Sequence, residues 1–315
     1  MTAPAGAPAP GGFAPPADFT PGDVAGGAGA PRLHYWRHGR GRPLLVLHGV
    51  TDWGLDWAGF ARRVGDACDC VLLDQRGHGY SEKPATGYAY ADLAADAWRA
   101  VEALRLDRPI VLGHSMGGGV ALALAASHPR EIDRLLLVDP AIRLDTPAAA
   151  AGGPPAAPRP DAARRRAALE ARQALGRDAL REQTAAAHPT FDPEDVAYTV
   201  ESTLLVAPAV WGENRWMDAA AQEDQLRRLA RPTLVVRGEP ARGAIVSDAM
   251  ARRIRELVPD DLARVATIAG TGHVPHREAL ALFVAVVRPF LTGEAAPPAE
   301  GGSPVCFAHL QPGAG

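Results

Sequence analysis

The 315-residue sequence is poor in two polar residues that most proteins use freely, lysine and asparagine. Lys83 is its one lysine and Asn214 its one asparagine, whereas arginine, alanine, glycine and proline are abundant. Because arginine stands in for lysine along the whole chain, the bias is compositional. Arginine clusters are therefore weak evidence for an anion-binding surface in this protein.

Cysteine is also scarce, which argues against a domain stabilised by disulfides and against one stabilised by a cysteine-bound metal. Cys68, Cys70 and Cys306 are an odd number without framework spacing, so a disulfide-stapled secreted domain is not expected. Cys68 and Cys70 lie two residues apart near a strand, so their side chains share one face instead of chelating a metal. We expect small buried apolar residues here and no metal site.

A long apolar run and a strong net charge are missing as well. No run approaches the roughly 18 apolar residues that a membrane span needs. The N-terminus lacks the basic start and apolar stretch of a signal peptide. The formal net charge of −3 does not indicate a nucleic acid or membrane partner. With 47% hydrophobic and 22% charged residues, the sequence predicts a globular cytoplasmic protein, and it leaves the oligomeric state open.

Between residues 32 and 292, short apolar runs alternate with helical patterns. Six runs bounded by turn residues are typical of strands buried on both faces of a parallel sheet: 43–49, 70–75, 109–115, 134–140, 232–238 and 264–270. Residues 32–38 suit an antiparallel edge strand. Helical spacing of apolar residues predicts helices over 55–65, 90–105, 116–127, 247–258 and 277–291. This alternation predicts an α/β sheet with helices on both faces.

The alternation is interrupted once, and the chain ends differ in composition. Residues 145–228 are helix-prone and strand-poor, which predicts a helical cap, or lid, inserted into the core. The core then consists of residues 32–144 and 229–292. Alanine, glycine and proline dominate residues 1–31 and 293–315, which we predict to be disordered tails.

The strongest chemical signal is VLGHSMGGG, residues 111–119, which holds a Gly-x-Ser-x-Gly pattern between a strand and a helix. A serine in this context sits on a sharp turn, where a side chain at Gly113 or Gly117 would clash. The turn presents the Ser115 hydroxyl at the carboxyl edge of the sheet. The N-terminus of the following helix favours developing negative charge. We therefore predict Ser115 as a nucleophile.

A serine nucleophile needs a general base. His273 follows the last predicted core strand, in IAGTGHVPHRE, and is expected at the same sheet edge as Ser115. His276 comes three residues later at the start of the last helix, where packing or capping explains it. We predict His273 as the base.

The oxyanion of an acyl transfer needs preorganised N–H donors. The amide of Met116, directly after the nucleophile, is one candidate, and the amide of Val50, after the first central strand, is the second. The cap stretch TLLVAPAVW, which ends at Trp211, together with Trp53 and Trp57 suits the lining of an apolar substrate pocket. Core packing explains these apolar residues equally well.

The acid that orients the base is the open question of the sequence. The loop VVRGEPARGAIVSD offers Glu239 directly after a strand and Asp248 at the start of the next helix. Asp139 ends the preceding strand in LLLVDPAI, although aspartate before proline also makes an ordinary turn. Asp139 is our first choice and Glu239 the fallback. Asp248 and a dyad without an acid stay open, because all three carboxylates lie between the nucleophile and the base in the chain.

These residues resemble the α/β-hydrolase fold superfamily over roughly residues 32–292. The matching motifs are HGV at 48–50, LDQRGHGYSEKP at 73–84, GHSMGG at 113–118 and GTGHVPHRE at 270–278. The resemblance implies a mostly parallel eight-stranded sheet with a helical cap inserted after strand six, the chain order Ser, acid, His, and no cofactor. It also implies that the motif at 73–84 is a structural turn beside the pocket.

The residues and the resemblance together predict a cofactor-independent serine hydrolase. Its expected substrate is a small to medium apolar carboxylic ester, cleaved through an acyl-enzyme. A serine at position 115 argues against haloalkane dehalogenase and epoxide hydrolase chemistry, since members of the superfamily with those activities use aspartate there. C–C bond hydrolysis, proline iminopeptidase-like activity and perhydrolysis stay open, as does a non-catalytic small-molecule receptor of the same fold.

Overall fold

The described strands form one nine-stranded sheet. The computed structural model describes residues 13–27, 29–145, 161–212, 219–259, 262–294 and 305–308. Within them the strands are β1 (Thr20–Val24), β2 (Leu33–Gly39), β3 (Arg42–Leu47), β4 (Cys68–Leu73), β5 (Ile110–His114), β6 (Arg134–Val138), β7 (Thr233–Arg237), β8 (Ala263–Ile268) and β9 (Val305–Ala308). Their order is β1-β2-β4-β3-β5-β6-β7-β8-β9. Strands β3 to β8 run parallel, and the pairs β1–β2, β2–β4 and β8–β9 are antiparallel. The predicted α/β class with a mostly parallel sheet is confirmed.

Helices cover both faces of the sheet. They are α1 (Ala58–Val64), α2 (Tyr90–Ala103), α3 (Met116–Ser127), α4 (Ala162–Ala174), α5 (Arg177–Ala187), α6 (Pro193–Leu205), α7 (Ala219–Arg227), α8 (Asp248–Leu257), α9 (Pro275–Glu278) and α10 (Leu280–Thr292). Successive side chains of a strand point to opposite faces. Leu45 and Leu47 of β3 accordingly share a core cluster with α2, α3 and α8, whereas Leu44 and Val46 share one with α1 and α10.

The structure differs from the sequence prediction at both ends of the core. The predicted disordered tail over 1–31 contains β1, which pairs with β2, and Phe19 before it is 4% exposed. The predicted tail over 293–315 contains β9, which pairs with β8. Both strands lie at sheet edges, where backbone pairing to an existing strand compensates for a weak apolar pattern. Pro21 and Gly22 made β1 hard to predict because both residues are depleted in strands. Both are tolerated in an edge strand such as β1.

Helices α4 to α7 lie between β6 and β7 and form the helical insertion, which falls within the predicted range 145–228. The amide of Ala207 donates to the carbonyl of Gly77 at 2.7 Å. Arg277 Nη2 donates to Thr199 Oγ1 of α6 at 2.8 Å. Gly77 lies on the loop after β4, and Arg277 lies on the short helix α9, which follows β8. The insertion therefore packs over the carboxyl edge of the parallel strands.

The two ends of the insertion are joined to each other. The amide of Arg143 donates to Gln222 Oε1 at 2.5 Å, and the amide of Asp145 donates to Glu223 Oε1 at 3.2 Å. Glu223 is also paired with Arg253 of α8 at 2.6 Å. We call this set of contacts the insertion root. None of the helices in the described ranges combines the length and apolar content needed to cross a bilayer.

Candidate active site

Six loops meet at one edge of the sheet because β3 to β8 run in the same direction. Ser115 follows β5, Asp139 follows β6 and His273 lies in the loop after β8. Ser115 and His273 are 158 residues apart in the chain, yet their side chains are within hydrogen-bond distance. The edge is the place where open α/β sheets bind ligands.

Ser115 occupies a strained turn between β5 and α3. Its φ of 49° and ψ of −114° lie outside the regions that ordinary residues prefer. A Cβ added at Gly113 would meet the carbonyl of Gly117, and a Cβ at Gly117 would meet the carbonyl of Leu47. The Ser115 amide donates to the Val138 carbonyl at 3.0 Å. The glycine requirement read from the pattern therefore has a direct steric cause.

His273 bridges the nucleophile and a buried carboxylate. Its Nε2 lies 3.0 Å from Ser115 Oγ, and its Nδ1 lies 2.6 Å from Asp139 Oδ2. Because an ionised carboxylate only accepts, these partners assign the proton to Nδ1. Nε2 then presents its lone pair to the Ser115 hydroxyl. This is the tautomer that a general base for serine needs.

Asp139 is fully buried but well supplied with donors. Besides the His273 contact, Oδ2 accepts from the amide of Ile245 at 2.8 Å, and Oδ1 accepts from the amide of Val246 at 3.0 Å. Charge-assisted hydrogen bonds of this kind offset the cost of burying a carboxylate. Ile245 and Val246 belong to the loop after β7, just past Gly243, which has a φ of 97°.

The other two acid candidates are engaged away from the base. Glu239 Oε2 accepts from the amide of Gly270 at 2.7 Å. Asp248 is paired with Arg237 of β7. Of the three carboxylates that the sequence left open, Asp139 is therefore the one that contacts His273. Sequence reasoning missed the two supporting amides, because every residue except proline carries one and nothing in the residue types reveals their direction.

The loop after β3 is held by three successive carbonyl contacts. Gln75 Nε2 donates to the His48 carbonyl at 2.8 Å, and His48 Nδ1 donates to the Gly49 carbonyl at 2.7 Å. His78 Nε2 lies 2.8 Å from the Val50 carbonyl. Burial lowers the pKa of His48 to about 3, so its ring is neutral. Since the carbonyl and the N–H of one peptide unit point in opposite directions, the bond to the Gly49 carbonyl also sets the direction of the Val50 N–H.

The motif at 73–84 forms the turn that the resemblance implies. Asp74 is buried, and its carboxylate accepts from the amides of Gly54 at 2.8 Å and Tyr80 at 2.9 Å. The motif also supplies Gln75 and His78, the two side chains that reach the loop after β3. Sequence reasoning gave neither of them a role. The other predicted oxyanion donor, Met116, is the first residue of α3, at the helix end that favours negative charge.

His276 and two of the predicted pocket tryptophans belong to the protein core. His276 stacks on Trp57 with ring centroids 3.9 Å apart, and burial lowers its pKa well below 6.5. Trp53 and Trp57 are both fully buried in the cluster that includes α1 and α10. The structure thus assigns both tryptophans to core packing, the alternative that the sequence left open, and corrects their placement in a pocket lining.

Trp211 lies in a different environment. It packs on a small apolar cluster of the insertion and the loops below it, formed by Tyr88, Leu169, Val206 and Val210. Val50 packs on the same cluster. The predicted oxyanion residue therefore packs against an apolar cluster to which the helical insertion contributes three of the four buried members.

Comparison with known proteins identifies the family. The sequence model of the alpha/beta hydrolase fold family matches residues 42–280. N-formylmaleamate deformylase of Pseudomonas putida is 40% identical over 124 residues, which are 38% of this chain and 46% of the deformylase. 2-(Acetamidomethylene)succinate hydrolase of Mesorhizobium japonicum is 26% identical over 245 residues, covering 72% of this chain and 81% of that protein.

The solved structures agree in fold. N-formylmaleamic acid deformylase from Pseudomonas putida S16 superposes with a TM-score of 0.68 at 22% identity, covering 85% of this chain and 100% of that one. Some sequence matches span little of the relative, such as 29% of a Mycobacterium tuberculosis protein that is 35% identical over 100 residues. Because the family match covers more than half of the chain, the protein belongs to the alpha/beta hydrolase fold family.

Proposed function

We propose that the protein is a cofactor-independent serine hydrolase with Ser115, His273 and Asp139 as its triad. The observation that carries this proposal is the continuous hydrogen-bond chain from Ser115 Oγ through His273 to Asp139, with distances of 3.0 and 2.6 Å. The strained turn under Ser115 and the two amides on Asp139 support it, since both hold reacting groups in place before substrate binds.

The geometry supports an acyl-enzyme mechanism. Ser115 Oγ attacks the ester carbonyl while His273 Nε2 takes its proton, and Asp139 stabilises the resulting imidazolium. The amides of Val50 and Met116 hold the oxyanion. The imidazolium returns the proton to the leaving alcohol. A water molecule then attacks the acyl-enzyme with His273 again as base, which releases the acid and restores the serine.

The helical insertion acts in this proposal as the cap of the site and supplies apolar surface to the substrate. Val50 packs on the cluster that includes Leu169, Val206 and Val210 of the insertion, so the oxyanion residue adjoins an apolar wall. Pockets that bind small ligands are lined in this way, with a few placed polar groups. A small to medium ester with an apolar acyl group fits these surroundings.

Amide cleavage is the second candidate, because two relatives are named for substrates with an amide bond. These are the N-formylmaleamate deformylase and the 2-(acetamidomethylene)succinate hydrolase. The same triad performs both reactions. A panel of nitrophenyl acetate, butyrate and octanoate beside N-formyl and N-acetyl amides separates the two, and we expect the highest kcat/KM for an ester.

Covalent labelling tests the proposal directly. A fluorophosphonate probe should label the wild-type protein and not Ser115→Ala, and Ser115→Ala and His273→Ala should lower kcat on nitrophenyl butyrate by on the order of 10⁴-fold or more. Ser127→Ala is the matched control, since Ser127 lies at the far end of α3 and its hydroxyl contacts the Ala123 carbonyl. A wild-type protein that neither labels nor turns over any ester or amide contradicts the proposal and favours a non-catalytic receptor.

A further inference from the structure

A second histidine–aspartate pair lies directly behind the nucleophile. His114 precedes Ser115 and is buried. Its Nε2 lies 3.0 Å from the main-chain oxygen of His273, and its Nδ1 lies 3.4 Å from Asp52 Oδ2. The same carboxylate oxygen accepts from the amide of Gly49 at 3.1 Å. The pair therefore contacts the loop that carries the base and the loop that carries the oxyanion amide.

The partners of His114 differ at its two ring nitrogens, which face a carbonyl oxygen and a carboxylate. A carbonyl oxygen only accepts, so Nε2 carries a proton. In a neutral ring, Nδ1 would then turn a lone pair toward the carboxylate of Asp52. A second proton on Nδ1 converts this repulsion into a charge-assisted contact. Although burial by itself raises the pKa of Asp52, the contact with His114 holds that pKa below its ordinary value.

Among the charged and titratable groups near the pair, Asp52 is the carboxylate that contacts His114. The other groups lie on two segments: His273, His276 and Arg277 after β8, and His48 and Asp56 after β3. Burial keeps His276 and His48 neutral. Arg277 lies 3.3 Å from Asp56, whose pKa burial raises to about 8, and its Nη2 donates to the Asp195 carbonyl at 2.6 Å. The His114 and His273 ring centroids are 4.9 Å apart, so a charge on His114 acts on the base.

We propose that Asp52 and His114 are positioning residues whose ion pair fixes the main chain of His273 and of Gly49 relative to Ser115. The inference rests on the function proposed above. His114 is covalently joined to the nucleophile, so the base loop cannot shift against Ser115 while the bond to the His273 carbonyl is intact. A displacement of about 1 Å costs on the order of 100-fold in rate when reacting groups must be aligned.

The first test is kcat per active site, with sites counted by fluorophosphonate titration. Asp52→Asn and His114→Phe should lower this kcat on the order of 10- to 100-fold, with little change in KM. His114→Gln retains a donor for the His273 carbonyl, so it should recover much of the loss. Counting sites separates the positioning role from a loss of folded protein, because unfolded molecules do not label.

The second test uses the pH profile of kcat/KM. Asp52→Asn removes the carboxylate that favours a second proton on the buried His114, so the pair carries no net charge and the acid limb stays close to its wild-type position. His114→Gln leaves an unbalanced carboxylate and moves the acid limb to higher pH. The double variant should return the limb close to its wild-type position. An upward shift in His114→Gln that is cancelled in the double variant is the signature of an ionised pair, and a purely steric role would not produce it.

Asp23→Asn is the matched control. It removes a carboxylate that faces His34 Nδ1 at 3.0 Å between the edge strands β1 and β2, away from the site. Wild-type kcat per titrated site in both Asp52→Asn and His114→Phe, with an unmoved acid limb in His114→Gln, would overturn the positioning role, whatever happens to Tm. Absence of labelling and turnover in the wild-type protein would instead contradict the proposed function, and the positioning role with it.

Discussion

Replacement of Asp139 by asparagine tests the acid of the candidate triad, the member that the sequence left open. The carboxylate faces the imidazolium that forms when His273 accepts the Ser115 proton, with 2.6 Å between Oδ2 and Nδ1. Two unit charges about 4 Å apart interact by about 4 kcal/mol at an effective dielectric constant of about 20. Removing that interaction from the transition state should lower kcat by about 10³-fold.

The hydrogen bonds around the carboxylate decide how the asparagine will sit. An amide NH₂ in the Oδ2 position would face both the Ile245 amide and the His273 Nδ1–H, whereas in the Oδ1 position it faces only the Val246 amide. The second orientation loses one hydrogen bond and keeps the His273 tautomer. Leaving one buried N–H without an acceptor costs about 1–3 kcal/mol of stability.

The assay is the initial rate on nitrophenyl butyrate at a pH on the plateau of the profile, together with urea unfolding of the same samples. Glu239→Gln and Asp248→Asn are the controls and should keep the wild-type kcat, because both carboxylates are engaged elsewhere. A kcat for Asp139→Asn within about tenfold of wild type, a loss of less than about 1.4 kcal/mol, would refute the assignment of the acid. A large loss in Glu239→Gln would move the assignment to the fallback.

Three further predictions concern stability. Burial lowers the pKa of His276 well below 6.5, so at acidic pH the unfolded chain binds a proton there that the folded chain does not. The free energy of unfolding should therefore decrease as the pH is lowered below about 6.5, by about 1.4 kcal/mol per pH unit. His276→Phe should make the slope of unfolding free energy between pH 6 and 5 shallower by that amount, and parallel slopes would contradict this. Gly117→Ala should lose about 3 kcal/mol because the new methyl group meets the Leu47 carbonyl, and a wild-type urea midpoint would show that the turn relaxes. Phe19→Ala should cost about 3 kcal/mol by urea unfolding if the β1 segment is part of the folded core in solution, and an unchanged midpoint would place it outside.

The sequence predicted the central sheet well and its edges poorly, for one physical reason. Strands buried on both faces must be continuous apolar runs, so β3 to β8 are visible in composition alone. An edge strand such as β1 is stabilised mainly by backbone pairing with β2, and backbone groups are the same in every residue. TPGDV therefore has the composition of a loop and the structure of a strand.

The candidate site divides in a similar way. Ser115 and His273 were predictable because a pattern and a strand end fix where they lie. The acid was not, because the choice among the carboxylates depends on the path of the loop after β7, which turns two amides onto Asp139. Asp52 and His114 received no role in the sequence analysis. His114 fills a variable position of the Gly-x-Ser-x-Gly pattern, and only the fold brings Asp52 to it.

The insertion root has a consequence for how the substrate range of this protein can change. Because Arg143 and Asp145 are hydrogen-bonded to Gln222 and Glu223, the segment that leaves the core and the helix that returns to it hold each other in place. The root holds the chain in place four residues after Asp139, independently of the side chains on the helices between its two ends. In the proposed hydrolase, substitutions within residues 161–212 would therefore change the apolar surface beside Val50 while Asp139 keeps its hydrogen bonds.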